Sequence, residues 1–170
     1  MPDVFTKAKR SEVMSRIRGR GNKDTELALA KLLRRHRITG WRRHITIRGR
    51  AVLPRGPNIR AAQQHRTTFR VRPDFVFKQA RLAVFVDGCF WHGCPKHATQ
   101  PKNNRAFWRR KLAGNKQRDE VVNLALWKSG WRVIRIWEHE LPRQKEEGRR
   151  KKTGGKAERL LRRIQRALNR

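Results

Sequence analysis

At 170 residues the chain has room for one domain of ordinary size with tails, and 45 Lys and Arg against 13 Asp and Glu leave a formal charge of +32. A surplus that large exceeds what solubility needs and points to a polyanionic partner, with nucleic acid first. No stretch approaches the roughly 18 continuous apolar residues of a membrane span, and the start MPDVFTKAKR has no apolar segment after its charges, so neither membrane insertion nor secretion is expected and the expected location is the cytoplasm.

Residues 1–23 are basic and glycine-punctuated (RIRGRGN) and read as an arm that orders on a phosphate backbone. Asp24 or Thr25 then caps a predicted helix with Leu29, Leu32 and Leu33 as its apolar stripe and Arg34, Arg35 and His36 near its end, where positive charge suits the helix dipole. Trp41 to Arg48 (WRRHITIR) predicts a strand. Gly49 to Thr67, with Gly, Pro and no clear period, reads as a long surface insertion.

Phe69 to Phe77 (FRVRPDFVF) and Arg81 to Val86 (RLAVFV) are rich in strand formers and separated by Lys78-Gln79-Ala80, which predicts a hairpin. Folding about that turn brings Asp74 opposite positions 84 to 88. With adjacent strands about 5 Å apart, Asp74, Val86 and Asp87 are expected to share one cation. Asn103 or Asn104 is the expected cap of a helix over Phe107 to Ser129, with a break near Gly114 and an end at Gly130. Trp131 to Trp137 (WRVIRIW) has the apolar density of a buried strand, and a strand reached through a helix runs parallel to its neighbour. The resulting order, α-β-β-β-α-β, predicts an α/β fold with a mixed sheet flanked by helices. After Pro142 the run RQKEEGRRKKTGGK is polar, and Glu158 to Arg170 aligns Leu160, Leu161, Ile164 and Leu168 on one helical face, for loose docking or for lying along DNA.

The chemistry concentrates in DGCFWHGCPKH, from Asp87 to His97. Cys89 and Cys94 are the only two cysteines. In a reducing compartment they are poor disulfide partners, and with His97 and the distant His139 they make a four-donor set of the kind a tetrahedral zinc takes. The alternative assigns both thiols to packing and His97 to the surface. Asp74 and Asp87, at strand ends in an acid-poor chain, suit a Mg²⁺ that binds substrate phosphate; the alternative makes Asp74 a turn cap and Asp87 an arginine's partner. His92 has the pKa range for a general base or a phosphate hydrogen bond. Phe90, Trp91 and Trp108 are candidates to insert between base pairs or stack on exposed bases, with core packing as the alternative.

Taken in order, PDFVF, VDGCFWHGCPKH, FWRRKLAGNKQRD and GWRVIRIWEHEL resemble the very-short-patch repair (Vsr) endonuclease family over roughly Ser11 to Leu141. The resemblance implies a restriction-endonuclease-like core with a structural zinc site, catalytic Mg²⁺, and nicking of duplex DNA 5′ to the thymine of a T:G mismatch, the product of 5-methylcytosine deamination. It implies Asp74 as the central metal-binding aspartate, Glu26 as its acidic support, His92 as the catalytic histidine, and Val86 as the residue whose backbone carbonyl reaches the metal. Cys89, Cys94, His97 and His139 fall at the zinc ligands. Phe90, Trp91 and Trp108 fall at the aromatic wedge, and Lys111 and Asn115 of the third string join them as DNA contacts.

On this resemblance residues 1–23 are a basic arm, 24–141 the endonuclease domain with 49–67 inserted, and 142–170 a basic tail with a short helix. A monomer acting in the bacterial cytoplasm, near the nucleoid and with mismatch-repair proteins as partners, is implied as well. Two departures stand out. Asp87 replaces the histidine of the best-known form, as a metal ligand or as a substitute proton-handling group, and the 49–67 insertion replaces a short glycine-rich turn. The competing readings are a zinc-stabilised nucleic-acid-binding protein without catalysis, which leaves both aspartates without a role, and a related nuclease of different DNA-structure specificity.

Overall fold

A computed structural model describes residue 12 and residues 25–54, 64–97, 104–142 and 150–169. Glu12 apart, the expected basic arm lies outside them. Helix α1 (Glu26–Arg35) forms where its apolar stripe predicts: Leu29, Leu32 and Leu33 are buried, and Arg34 and Arg35 occupy the last turn. Thr25 holds the N-cap position without a side-chain cap bond.

The strand expected over 41–48 is two strands. His44 adopts φ +54°, a left-handed conformation that cannot continue a pleat, so β1 (Trp41–Arg43) and β2 (Ile47–Pro54) join different sheets. The 49–67 stretch is also corrected. Residues 49–54 and 64–67 are arms of a hairpin in which β2 pairs antiparallel with β3 (Gln64–Val71), from Ile47 opposite Val71 to Pro54 opposite Gln64; residues 55–63 lie outside the described set. Its inner face escapes a hydrophobicity reading because two of its members, Gly49 and Ala51, are small. Gly49 is required there, since a Cβ would sit 2.7 Å from the Phe69 ring.

Pro73, fully buried, ends the ladder before β4 (Phe75–Phe77), so the expected run 69–77 is divided between two sheets. Antiparallel pairing of β4 with β5 (Leu82–Asp87) sets Phe75 opposite Val84, and β6 (Arg132–Trp137) pairs with β5 in parallel, as its helical crossover requires. The four-stranded sheet has the order β1-β4-β5-β6. Leaving aside the β2–β3 hairpin, chain order through this layer is the expected α-β-β-β-α-β.

Strand alternation gives each face of the sheet its own core. Phe75, Phe77, Leu82, Val84 and Ile136 meet α1 on one side, and Val76 and Ala83 meet Leu126 and Val122 of α2 (Arg105–Lys128) on the other. Helix α2 runs unbroken through Gly114. That glycine lies in open space, where it costs about 1 kcal/mol of helix propensity without a steric reason to kink. Asn104 stands at its N-cap in left-handed conformation with no side-chain cap bond, contrary to the expected capping, and Gly130 at φ +75° ends the helix as expected.

Helix α3 (Arg150–Leu168) is longer than the stripe that announced it, and it joins the core rather than docking loosely: Leu160, Leu161 and Ile164 are 2%, 5% and 0% exposed. Its Arg163 also binds Glu140, at 3.0 Å, in the 3₁₀ turn Glu138–Glu140 that follows β6. Ile164→Ala is accordingly expected to destabilise the protein by roughly 2–5 kcal/mol, measured by urea unfolding; a loss within the ~0.5 kcal/mol typical of surface positions would mean that the helix does not dock.

Candidate active site and metal centre

Asp74 leaves the buried Pro73 and enters β4, and register places it beside the end of β5, where the Val86 N–H donates to its Oδ2 at 2.7 Å. Side-chain oxygens of Glu26 and Asp74 and a ring nitrogen of His44 lie within 4.8 Å of one another. Burial is the main force on Asp74 and pushes its pKa to about 6; the Val86 bond opposes this, and the charges of Glu26 and Asp87 add to it. Glu26, 5% exposed, is already bound by Arg43 at 2.8 Å and lies 3.1 Å from His44. Both contacts fall on Glu26 Oε2, as the Val86 bond falls on Asp74 Oδ2, so each carboxylate can offer an oxygen to an ion at the cluster.

The 88–97 loop is wound tightly by backbone bonds from His92 to Gly88 and from Cys94 to Cys89. Gly93, at φ +61°, takes a left-handed backbone conformation in which a side chain would be strained. The 3₁₀ turn after β6 meets this loop: Glu138 accepts from the Cys89 N–H, and His139 Nδ1 lies 3.2 Å from Cys89 Sγ and 3.6 Å from Cys94 Sγ. His97 Nδ1 is 3.8 Å from Cys94 Sγ. One donor atom from each of the four predicted residues thus falls within 4.8 Å of the others, and both thiols are free. Two sulfurs and two imidazoles at that separation suit a tetrahedral Zn²⁺.

His92 is held by a residue that sequence reasoning missed. Its Nδ1–H donates to Asp119 Oδ2 at 2.6 Å, leaving Nε2 for proton exchange. Burial alone lowers the His92 pKa, but the Asp119 bond and the charges of Asp87 and Asp119 outweigh it and the net shift is upward. Burial likewise raises Asp119, yet the bond to His92 and the charges of Arg135, His92 and Arg118 bring it below the ordinary range. The signal for Asp119 was its spacing: four residues after Asn115, it shares that residue's helical face, and the two hold successive loop residues, since Asn115 Nδ2 donates to the Trp91 carbonyl at 2.8 Å.

Asp87 is a correction. Alternation turns it to the opposite sheet face from Val86, where Arg135 grips both its oxygens at 2.8 and 2.9 Å and also reaches Asp119 at 3.1 Å. It is 4% exposed and outside the Glu26–His44–Asp74 cluster, with an arginine partner as the alternative reading has it, and its Oδ1 also lies 3.7 Å from His92 Nδ1. Asn115, expected at a DNA surface, is buried with its amide committed to Trp91, whereas Lys111 is exposed on α2. Phe90, Trp91 and Trp108 form a cluster with ring centroids 5.1 to 5.9 Å apart, Phe90 edge-on to both tryptophans and these tilted to each other, all three half-buried, and Phe107 packs on Trp108 while 53% exposed. His44 and Arg135, also missed, gave no signal, because one depends on a left-handed turn and the other sits in a strand that reads as apolar.

A mixed α/β sheet flanked by helices, with a carboxylate cluster and a histidine beside a Cys/His loop, is consistent with the fold of a nuclease. The family model for DNA mismatch endonuclease Vsr matches residues 48–99. The Type II nicking enzyme V.NmeAIP of Neisseria meningitidis serogroup A is 32% identical over 143 residues, 83% of this chain and 85% of that protein. The Type II nicking enzyme V.NaeI of Lentzea aerocolonigenes is 54% identical over 71 residues, 42% of this chain and 43% of its own length. DNA mismatch endonuclease Vsr of Escherichia coli K12 is 38% identical over 68 residues, 39% and 44% respectively. The chain matches about half the length, or less, of several such relatives, but the breadth of the V.NmeAIP match settles the family: this chain belongs to the Vsr family.

The state of Asp74 carries a stability prediction. Its pKa is about 6 in the fold against an ordinary 3.8, so stability present below pH 3.8 is lost as pH rises through 6, by about 3 kcal/mol in all at neutrality. In metal-free protein, Asp74→Asn should therefore raise stability by about 1–3 kcal/mol at pH 7 and change it little at pH 4. Thermal melts at the two pH values check this; a lower melting temperature for the variant at pH 7 would contradict it.

Proposed function

We propose that this protein is a strand-specific, Mg²⁺-dependent DNA endonuclease that nicks one strand of a duplex 5′ to the thymine of a T:G mismatch. The observation that carries this reading is the hydrogen bond from Val86 to Asp74: it ties the carboxylate cluster of Asp74 and Glu26 to the strand that enters the Phe90–Trp91–His92 loop. Cleavage chemistry and an aromatic wedge then belong to one rigid unit. The name DNA mismatch endonuclease, borne by the family and by the Escherichia coli relative, supports the substrate, and the name nicking enzyme supports the single-strand outcome.

Asp74 would hold Mg²⁺ with Glu26 as acidic support, its hard carboxylate oxygen and raised pKa being the marks of a group that ionises most readily beside a cation. The ion would supply charge neutralisation at the scissile phosphate. Asp119 fixes the His92 ring so that Nε2 faces the reaction and handles the proton of the attacking water. Phe90, Trp91 and Trp108 enter the stack beside the lesion, where a wobble pair opens at lower cost than a matched one, and Lys111 meets the backbone. Zn²⁺ at Cys89, Cys94, His97 and His139 would brace this loop; with all four positions filled by protein, its role is structural. Residues 24–141 form the endonuclease domain on this reading, extended by helix α3, which packs into the same core, and a monomer suits a lesion without two-fold symmetry.

A second reading, a nicking enzyme directed at another DNA structure, is favoured by the Type II relatives. Matched, T:G and branched duplexes incubated with Mg²⁺ or with EDTA separate the two: nicks are expected only on T:G duplex and only with Mg²⁺. Asp74→Ala should abolish nicking and leave mismatch affinity largely intact, and retained cleavage would remove Asp74 from the mechanism. Metal analysis of purified protein should give about one zinc per chain, lost together with thermal stability in Cys94→Ser; zinc-free folded protein would overturn the ligand assignment.

A further inference from the structure

We propose that the β2–β3 hairpin is a second DNA-contacting element, its outer face gripping duplex phosphates that flank the nick. The register sets Arg48 directly opposite Arg70, with Arg50 one step further out opposite Thr68. Alternation gathers Arg48, Arg50, Thr68 and Arg70 on one face, all exposed, and turns Ile47, Ala51, Phe69 and Val71 to the other, where they pack on the Val121–Ala125 side of α2. Arg72, just beyond the ladder, is exposed as well.

This arrangement works against the stability of the free protein. Like charges directly across an antiparallel pair are destabilising, and a threonine at either position would suit a solvent-facing strand better. Among the described residues, no carboxylate lies within salt-bridge distance of these four arginines. Among the described residues the charge is thus repulsive, and an external polyanion would make it favourable.

Position selects DNA as that polyanion. Both strands spring from the candidate metal cluster: Ile47 follows His44 by three residues, and Val71 precedes Asp74 by three. A ribbon anchored there is held beside whatever backbone the site cuts. Its arginines recur at i and i+2, about 7 Å apart along a strand, on a two-stranded ribbon of the kind a DNA groove admits. The inference rests on the proposed function only in taking duplex DNA as the substrate.

The test is Arg48→Thr/Arg70→Thr, followed by fluorescence anisotropy on a long T:G duplex and on one trimmed to the few base pairs around the mismatch, across a salt series. On the long duplex, affinity should fall about tenfold and the log–log salt slope should shrink by about 1.8, the loss of two phosphate contacts. Affinity for the trimmed duplex and kcat at saturation should stay unchanged, and the melting temperature should hold or rise because the opposed pair is gone. Arg50→Thr alone, outside that pair, should reduce the slope by about 0.9 and guards against a fold defect in the double variant. Unchanged affinity and slope on the long duplex, or equal losses on both duplexes, would overturn the proposal. Wild-type protein that binds without nicking would sink the nuclease reading and leave this binding comparison intact.

Discussion

In-register parallel pairing of β5 with β6, from Leu82 opposite Arg132 to Asp87 opposite Trp137, is the constraint on which the site depends. Parallel neighbours need a crossover, and the 24 residues of α2 provide it. Both strands then discharge their chains at one end of the sheet, so the 88–97 loop and the Glu138–Glu140 turn meet and the Cys/His quartet can close. The returning helix passes close enough for Asn115 and Asp119 to hold Trp91 and His92. On the other side of β5, antiparallel β4 delivers Asp74 to Val86. Slipping β5 by one residue would reverse its faces, carry Asp87 away from Arg135 and separate Asp74 from the loop.

The few carboxylates of this basic chain are sorted by their surroundings. Asp87 and Asp119 share Arg135, and Asp119 also binds His92, so ionisation of Asp119 is favoured. Asp74 is opposed in its ionisation by burial first, and the charges of Glu26 and Asp87 add to this against a single backbone donor. Neighbouring titratable groups are thus pushed in opposite directions: Asp119, favoured as the carboxylate, orients His92, and Asp74 is held above the ordinary carboxylate range. Glu140 serves structure instead, accepting from the Trp137 N–H and from Arg163, which couples the turn bearing His139 to α3.

Much of this was legible from local pattern. The Leu29, Leu32, Leu33 stripe located α1, Gly130 ended α2, and the short turn after Phe77 brought Asp74 to the neighbourhood of positions 84 to 88, within which only the folded register selects Val86. The Cys and His spacing identified four donors that do converge. Other features left weak traces or none. The β2–β3 ladder was obscured because glycine and alanine occupy inward positions, and the division at His44 depends on one backbone angle. A continuous α2 could not be inferred across Gly114, because the cost of a single glycine is small beside the packing of a long helix.

Composition, motif order and periodicity by themselves determined the polyanionic partner, the resemblance to a nuclease family, the order of the main elements and the identity of the chemically capable residues, because each of these is a property of neighbours along the chain. Tertiary structure alone decided which capable residues act together: Asp87 with Arg135 rather than with Asp74, Asn115 with the loop rather than with solvent, and His44 with Glu26 and Asp74. Those partnerships depend on the face each side chain takes and on contacts between elements distant in sequence. Burial and charge fix them only after the sheet has closed around β5.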